Sequence, residues 1–93
     1  MNKYESMVVI TSKLPESEAA QENLKLVTFI KEIGGEIIET DEWGKRILAY
    51  EIQKMKDAYF FVNHFTLSAD KVSELDRYYR LDESIIRHNI IKK

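Results

Sequence analysis

The sequence predicts an α+β fold, a split βαβ sandwich in which four antiparallel strands carry both helices on one face. Three observations lead there. Two stretches of helical periodicity alternate with strand-like ones in the order strand, helix, strand, strand, helix, strand. The right-handed crossover rule leaves that order few compact solutions. The chain has 93 residues, enough for one domain over residues 1–93 that buries only about two-thirds of its unfolded surface.

Each element has its own signal. Tyr4 to Thr11 is rich in β-branched residues and short enough for a buried strand. Lys13-Leu14-Pro15-Glu16 makes a turn; proline is tolerated in a first helical turn, and Glu16 and Glu18 suit its positive end. Ala20, Leu24, Val27 and Ile30 then recur at helical spacing, widened by Leu26 and Ile33, and Gly34-Gly35 stops the helix. Glu36 to Ile52 is strand-like except at Trp43-Gly44, which reads either as a hairpin giving a fifth strand or, as we favour, as a bulge bending one long strand. Lys54-Met55-Lys56-Asp57 reads as a polar turn. From Tyr59 to Leu67, alternation puts Tyr59, Phe61, Asn63, Phe65 and Leu67 on one face and Phe60, Val62, His64 and Thr66 on the other. Ser68 is placed to cap a second helix marked by Val72, Leu75 and Tyr79; Asp82-Glu83-Ser84 ends it, and Ile85 to Ile91 forms the last strand. The arrangement is ferredoxin-like, with one sheet face left uncovered by helices.

Composition narrows the function. Fourteen basic and sixteen acidic side chains give a net charge of −2 and a pI near 5.7, so a bulk electrostatic grip on nucleic acid or membrane is not expected, and any nucleic-acid contact must come from a local patch. The absence of cysteine excludes disulfides, thiolate metal sites and cysteine nucleophiles, and fits a reducing compartment. Glu5 comes too early for the apolar core of a secretory leader, and Met7 to Ile10 is too short to span a bilayer. A cytoplasmic, non-membrane protein is expected. No catalytic constellation stands out. Most carboxylates fall on helix exteriors or in turns, His64 and His88 lie in different strands without metal-ligand spacing, Gly34-Gly35 lacks the lysine and helix of a phosphate loop, and no serine sits in a nucleophile elbow. Neither enzyme, metal nor cofactor is implied.

Binding is the better direction. The uncovered face would offer Met7, Val9, Phe60, Val62, Arg87, Asn89 and Ile91, an apolar patch with a basic edge. Lys45 and Arg46 follow the Gly44 bend, Lys54 and Lys56 occupy the next turn, and Lys92-Lys93 end the chain. Phosphate-contacting edges are built this way. The run from Asp57 to His64 matches the aromatic strand of RNA-recognition motifs only weakly: it keeps Tyr59, Phe61 and Val62 but lacks the leading base and the glycine.

A more specific likeness lies in Gly44-Lys45-Arg46-Ile47-Leu48-Ala49-Tyr50-Glu51-Ile52, which resembles the signature of the bacterial small-subunit ribosomal protein six family. Tyr4-Glu5, Gly34-Gly35, Tyr59-Phe60, Arg80-Leu81 and Ile86-Arg87 are similar too, and the likeness runs from about residue 3 to 92. The resemblance implies a non-enzymatic ribosomal protein that binds the central domain of small-subunit ribosomal RNA together with ribosomal protein eighteen, and is monomeric when free. It also implies the bent-strand form of Trp43-Gly44. Some members carry a long acidic C-terminal tail, for which no counterpart is expected after Lys93. On this footing Lys45, Arg46, Tyr50, Lys54, Arg87 and Lys92 are RNA-contact candidates, and Met7, Trp43, Phe60 and Val62 are partner-interface candidates. The alternative from another class is a small-ligand regulatory module of the same fold, dimerising through its sheet.

Overall fold

A computed structural model describes residues 1–93. Strands β1 (Asn2–Thr11), β2 (Glu36–Ile52), β3 (Met55–Leu67) and β4 (Ile85–Lys92) form one antiparallel sheet in the order β2-β3-β1-β4. Helices α1 (Glu16–Glu32) and α2 (Val72–Leu81) connect them, α2 being preceded by a 3₁₀ turn at Ala69–Lys71. The expected split βαβ sandwich is what the chain forms. No helix is long and apolar enough to cross a membrane.

The core lies between the helices and one sheet face, where Val8, Ile10, Tyr59, Phe61, Phe65 and Leu67 meet Leu26, Ile30, Leu75 and Tyr79. The buried face of α1 differs from the expected one. Ala19, Asn23, Leu26 and Ile30 are buried, whereas Leu24 is 61% exposed. The true stripe is rotated because it contains a polar residue. Asn23 and Asn63 exchange amide hydrogen bonds of 3.2 and 2.9 Å, and the Thr40 hydroxyl donates to Asn63 Oδ1 at 2.9 Å. Reciprocal pairing removes most of the cost of burying two amides. Hydropathy alone cannot register such a pair.

The end of α1 follows from its glycines. The Gly34 N–H bonds the Lys31 carbonyl at 3.1 Å and the Gly35 N–H bonds the Ile30 carbonyl at 2.8 Å, closing the helix in a Schellman motif. At Gly35 the chain presses against β3, and a Cβ there would lie 2.7 Å from both Ile30 Cγ2 and the Thr66 carbonyl.

Two of the three irregularities in the β2–β3 ladder shape the rest of the molecule. The first answers the hairpin question. The register passes from Glu42 opposite Phe61 to Gly44 opposite Phe60, leaving Trp43 as the extra residue of a bulge, with Gly44 at φ 75°. The second lies between Ile47, opposite Asp57, and Ile52, opposite Met55, so residues 48–51 have no partner in the ladder. The expected polar turn over Lys54 to Asp57 is only two residues long, Gln53-Lys54, and β3 begins at Met55. Met55 belongs inside: it is buried and accepts a hydrogen bond from the Thr11 hydroxyl.

Candidate nucleic-acid interface

The sheet face opposite the helices is built by alternation. Register places Glu5, Met7 and Val9 of β1 beside His64, Val62 and Phe60 of β3, and beside Ile91, Asn89 and Arg87 of β4. β2 adds Glu39 and Asp41 at one end, and Trp43 and Arg46 at the other. From Phe60 to His64 the strand advances about 13 Å, and over that distance the character of the face changes.

At the Phe60 end the surface is aromatic and cationic. Trp43 stacks on Phe60 with centroids 6.1 Å apart, and the Arg46 guanidinium lies 5.9 Å from the Trp43 ring while its Nε donates to the Trp43 carbonyl at 2.9 Å. The unpaired stretch of β2 folds back over this face. Tyr50 reaches the opposite edge strand, where Arg87 Nη1 donates to its hydroxyl at 2.8 Å and the guanidinium sits 5.6 Å from its ring. The two edges of the sheet are thereby joined across β3 and β1. Beneath this bridge lies a cavity of about 510 Å³ floored by Met7, Val9 and Phe60 and walled by Leu48, Ala49 and Ile52.

The His64 end is acidic. His64 Nε2 lies 3.1 Å from Asp41 Oδ2 and its Nδ1 lies 3.7 Å from Glu5 Oε1, with Glu39 directly opposite in the ladder. Lys93 also approaches Glu5, at 3.7 Å. The other histidine belongs to the helix side, where His88 bonds Asp76 at 2.8 Å; that bond, aided by Arg80, holds the Asp76 carboxyl below the ordinary carboxylate range.

The structure therefore gathers some of the sequence-derived residues and separates others. Arg46, Tyr50 and Arg87 share the aromatic end, and Lys54 stands exposed at the tip of the β2–β3 turn. Lys45, opposite Tyr59, points to the helix side, its ammonium 5.5 Å from the Tyr59 ring. Lys92, opposite Tyr4, lies at the far end of β4. Neither joins the Arg46–Arg87 surface. Met7 and Phe60 are half-buried and Trp43 is 44% exposed, but Val62 is only 4% exposed, because it lies mid-strand between neighbours on both sides. It cannot offer a contact surface. Sequence reasoning missed the acidic cluster, since Glu5, Glu39, Asp41 and His64 come together only through the register of three strands.

Comparison with known proteins decides the family. Residues 3–92 match the family described as ribosomal protein S6. The chain belongs to it. The small ribosomal subunit protein bS6 of Caldanaerobacter subterraneus is 41% identical over 92 residues, 99% of this chain and 97% of that one. Its counterpart in Clostridium acetobutylicum is 41% identical over 91 residues, covering 98% and 96%. The crystal structure of 30S ribosomal protein S6 from Thermotoga maritima superposes with a TM-score of 0.95 at 30% identity, covering 99% of this chain and 87% of the other. The protein is thus a structural, non-enzymatic component of the small ribosomal subunit, located at the ribosome. RNA binding and a place in translation fit that role.

Proposed function

We propose that this ribosomal protein S6 binds the central domain of small-subunit ribosomal RNA together with ribosomal protein eighteen, in the cytoplasm, and that it is a monomer before assembly. The observation that carries the reading is the continuous surface Arg46–Trp43–Phe60–Tyr50–Arg87, cations rimming an apolar floor. Arg46, Arg87 and Lys54 would contact phosphates, and Tyr50 would hold Arg87 in place while leaving its ring accessible. Met7, Trp43 and Phe60 would meet the partner protein, and the cavity that Met7 and Phe60 border would receive its apolar side chains. Lys45 and Lys92 drop out of the contact set because they face elsewhere. The acidic end supports one polarity for the complex: phosphates lie toward Arg46 and Arg87, and the partner's basic residues toward Glu39 and Asp41.

The test is a filter-binding titration of a central-domain RNA fragment with this protein, with and without ribosomal protein eighteen. Tight binding only with both proteins is expected. Equal binding by the chain alone would remove the shared mode, and no binding in either condition would overturn the reading.

A further inference from the structure

Residues 48–51 are the longest stretch of β2 that the ladder skips, between Ile47 opposite Asp57 and Ile52 opposite Met55. They nevertheless wall the cavity of the open face, through Leu48, Ala49 and Tyr50, above Met7, Val9 and Phe60. Among their side chains Tyr50 alone makes a hydrogen bond, accepting from Arg87 on the opposite edge strand at 2.8 Å. We propose, on the footing of the assembly reading above, that this bond couples two binding events. Tyr50 is a positioning residue through which a phosphate on Arg87 and the partner protein in the cavity each tighten the hold on the other.

Both ends of the bond stand in solvent, so it adds little to the stability of the fold. Its effect is on order. The bond spans the sheet from edge strand β2 to edge strand β4, over β3 and β1. Without it residues 48–51 would be held at their ends alone, and a partner side chain entering the cavity would have to order them, at a cost in affinity. With it the wall stands before the partner arrives. The guanidinium also has donors to spare. Its Nη1 serves Tyr50, and a fork of five N–H groups leaves others for a phosphate. A phosphate there fixes Arg87, Arg87 fixes Tyr50, and Tyr50 fixes the wall, so ordering costs less once RNA is bound. Linkage makes the effect reciprocal: a partner filling the cavity holds Tyr50 and thereby presents Arg87 to the phosphate. Arg46 has no such role, since its Nε donates to the carbonyl of Trp43, three residues away in the same strand.

Three measurements test the coupling. In the free protein, backbone order parameters of residues 48–51 from nitrogen relaxation should fall from about 0.85 toward 0.6 in Tyr50→Phe and in Arg87→Ala. Arg46→Ala should leave them at the wild-type values. Calorimetric titration with ribosomal protein eighteen, without RNA, should show each of the first two variants weakened by about 2- to 10-fold, the contribution of one hydrogen bond. The double variant should be weakened no more than either alone, because both substitutions break the same contact. In RNA titrations of the protein–partner pair, Tyr50→Phe should lower affinity by a similar factor yet keep the wild-type salt slope, since every phosphate contact remains. Order parameters that are already low in the wild type or unchanged in the variants would overturn the coupling. So would losses that multiply in the double variant, or a reduced slope in Tyr50→Phe. Each of those results leaves the assembly reading standing. Failure of the wild type to bind either partner or RNA would overturn that reading, and the coupling with it.

Discussion

On the helix-covered face of the sheet every polar group that is buried has found its partner within the chain: Asn63 with Asn23 and Thr40, Ser6 with Tyr79 at 2.8 Å. On the opposite face Met7 and Phe60 are only half-sheltered, Trp43 and Tyr50 are exposed, and charges of opposite sign gather at opposite ends. The first face is closed by helices, the second only by a bulged strand and one Arg–Tyr hydrogen bond. Stability should therefore reside on the first face and recognition on the second, and substitutions should separate the two properties.

The largest separation comes from the core. Leu26 is fully buried between α1 and the sheet. Leu26→Ala should lower unfolding free energy by about 2–5 kcal/mol, measured by denaturant titration. RNA binding under conditions where the variant remains folded should match the wild type. Altered binding by folded Leu26→Ala would show that the two faces are coupled.

A pH experiment sharpens the same contrast. Burial pushes the Tyr79 hydroxyl up to about 12, partly offset by its bond to Ser6. The folded state therefore holds this proton after the unfolded chain, whose tyrosine titrates near 10, has lost it. Stability from this source is complete below pH 10 and declines as pH rises toward 12. Two pH units at 1.36 kcal/mol each make the loss about 2–3 kcal/mol. Tyr79→Phe should remove that alkaline decline, and at neutral pH should cost about 1 kcal/mol for the lost hydrogen bond. An unchanged alkaline slope would reassign it to another group.

How far each face was legible follows from what determines it. Strand alternation put Tyr59, Phe61, Asn63, Phe65 and Leu67 on one face, and all five are buried together, because period-two geometry is local. The face of α1 was misassigned at Leu24 because hydropathy favours an exposed leucine over a paired asparagine. The β2–β3 turn was placed over Lys54 to Asp57 because its polar residues hide Met55, whose burial depends on Thr11 in another strand. At the candidate site, Arg46, Tyr50 and Arg87 were visible as residue types, but their meeting depends on an irregularity in β2 that shifts the ladder. Lys45 and Arg46 were grouped as neighbours, although adjacent residues of a strand point to opposite faces. The acidic cluster left no sequence signal at all, since its members come from three strands.

On the open face, Arg46→Ala and Arg87→Ala should each change thermal stability by less than about 0.5 kcal/mol. Each should weaken assembly on the RNA and reduce the slope of log affinity against log salt by about one unit. Salt-series binding measurements would show it. A wild-type slope for Arg87→Ala would mean that its guanidinium serves only to hold Tyr50.

At the β2–β3 turn the small stability effect should run opposite to the binding effect. Gln53 and Lys54 form the two-residue turn with φ of 51° and 66°, the left-handed region that hairpins normally fill with asparagine and glycine. A side chain there costs about 1 kcal/mol, part of which glycine returns through the greater freedom of its unfolded state. Lys54→Gly should therefore stabilise the fold by about 0.5 kcal/mol, while weakening RNA binding by roughly the loss of one phosphate contact. Strained backbone concentrates where function holds it, so gain in one property with loss in the other is the signature of a lysine kept for its charge. Lys54→Arg supplies the control, keeping both the strain and the charge, and should bind as the wild type does. If Lys54→Gly gains stability and loses no affinity, the turn carries its strain for another reason and Lys54 leaves the contact set. The RNA surface would then end at the Tyr50–Arg87 bridge.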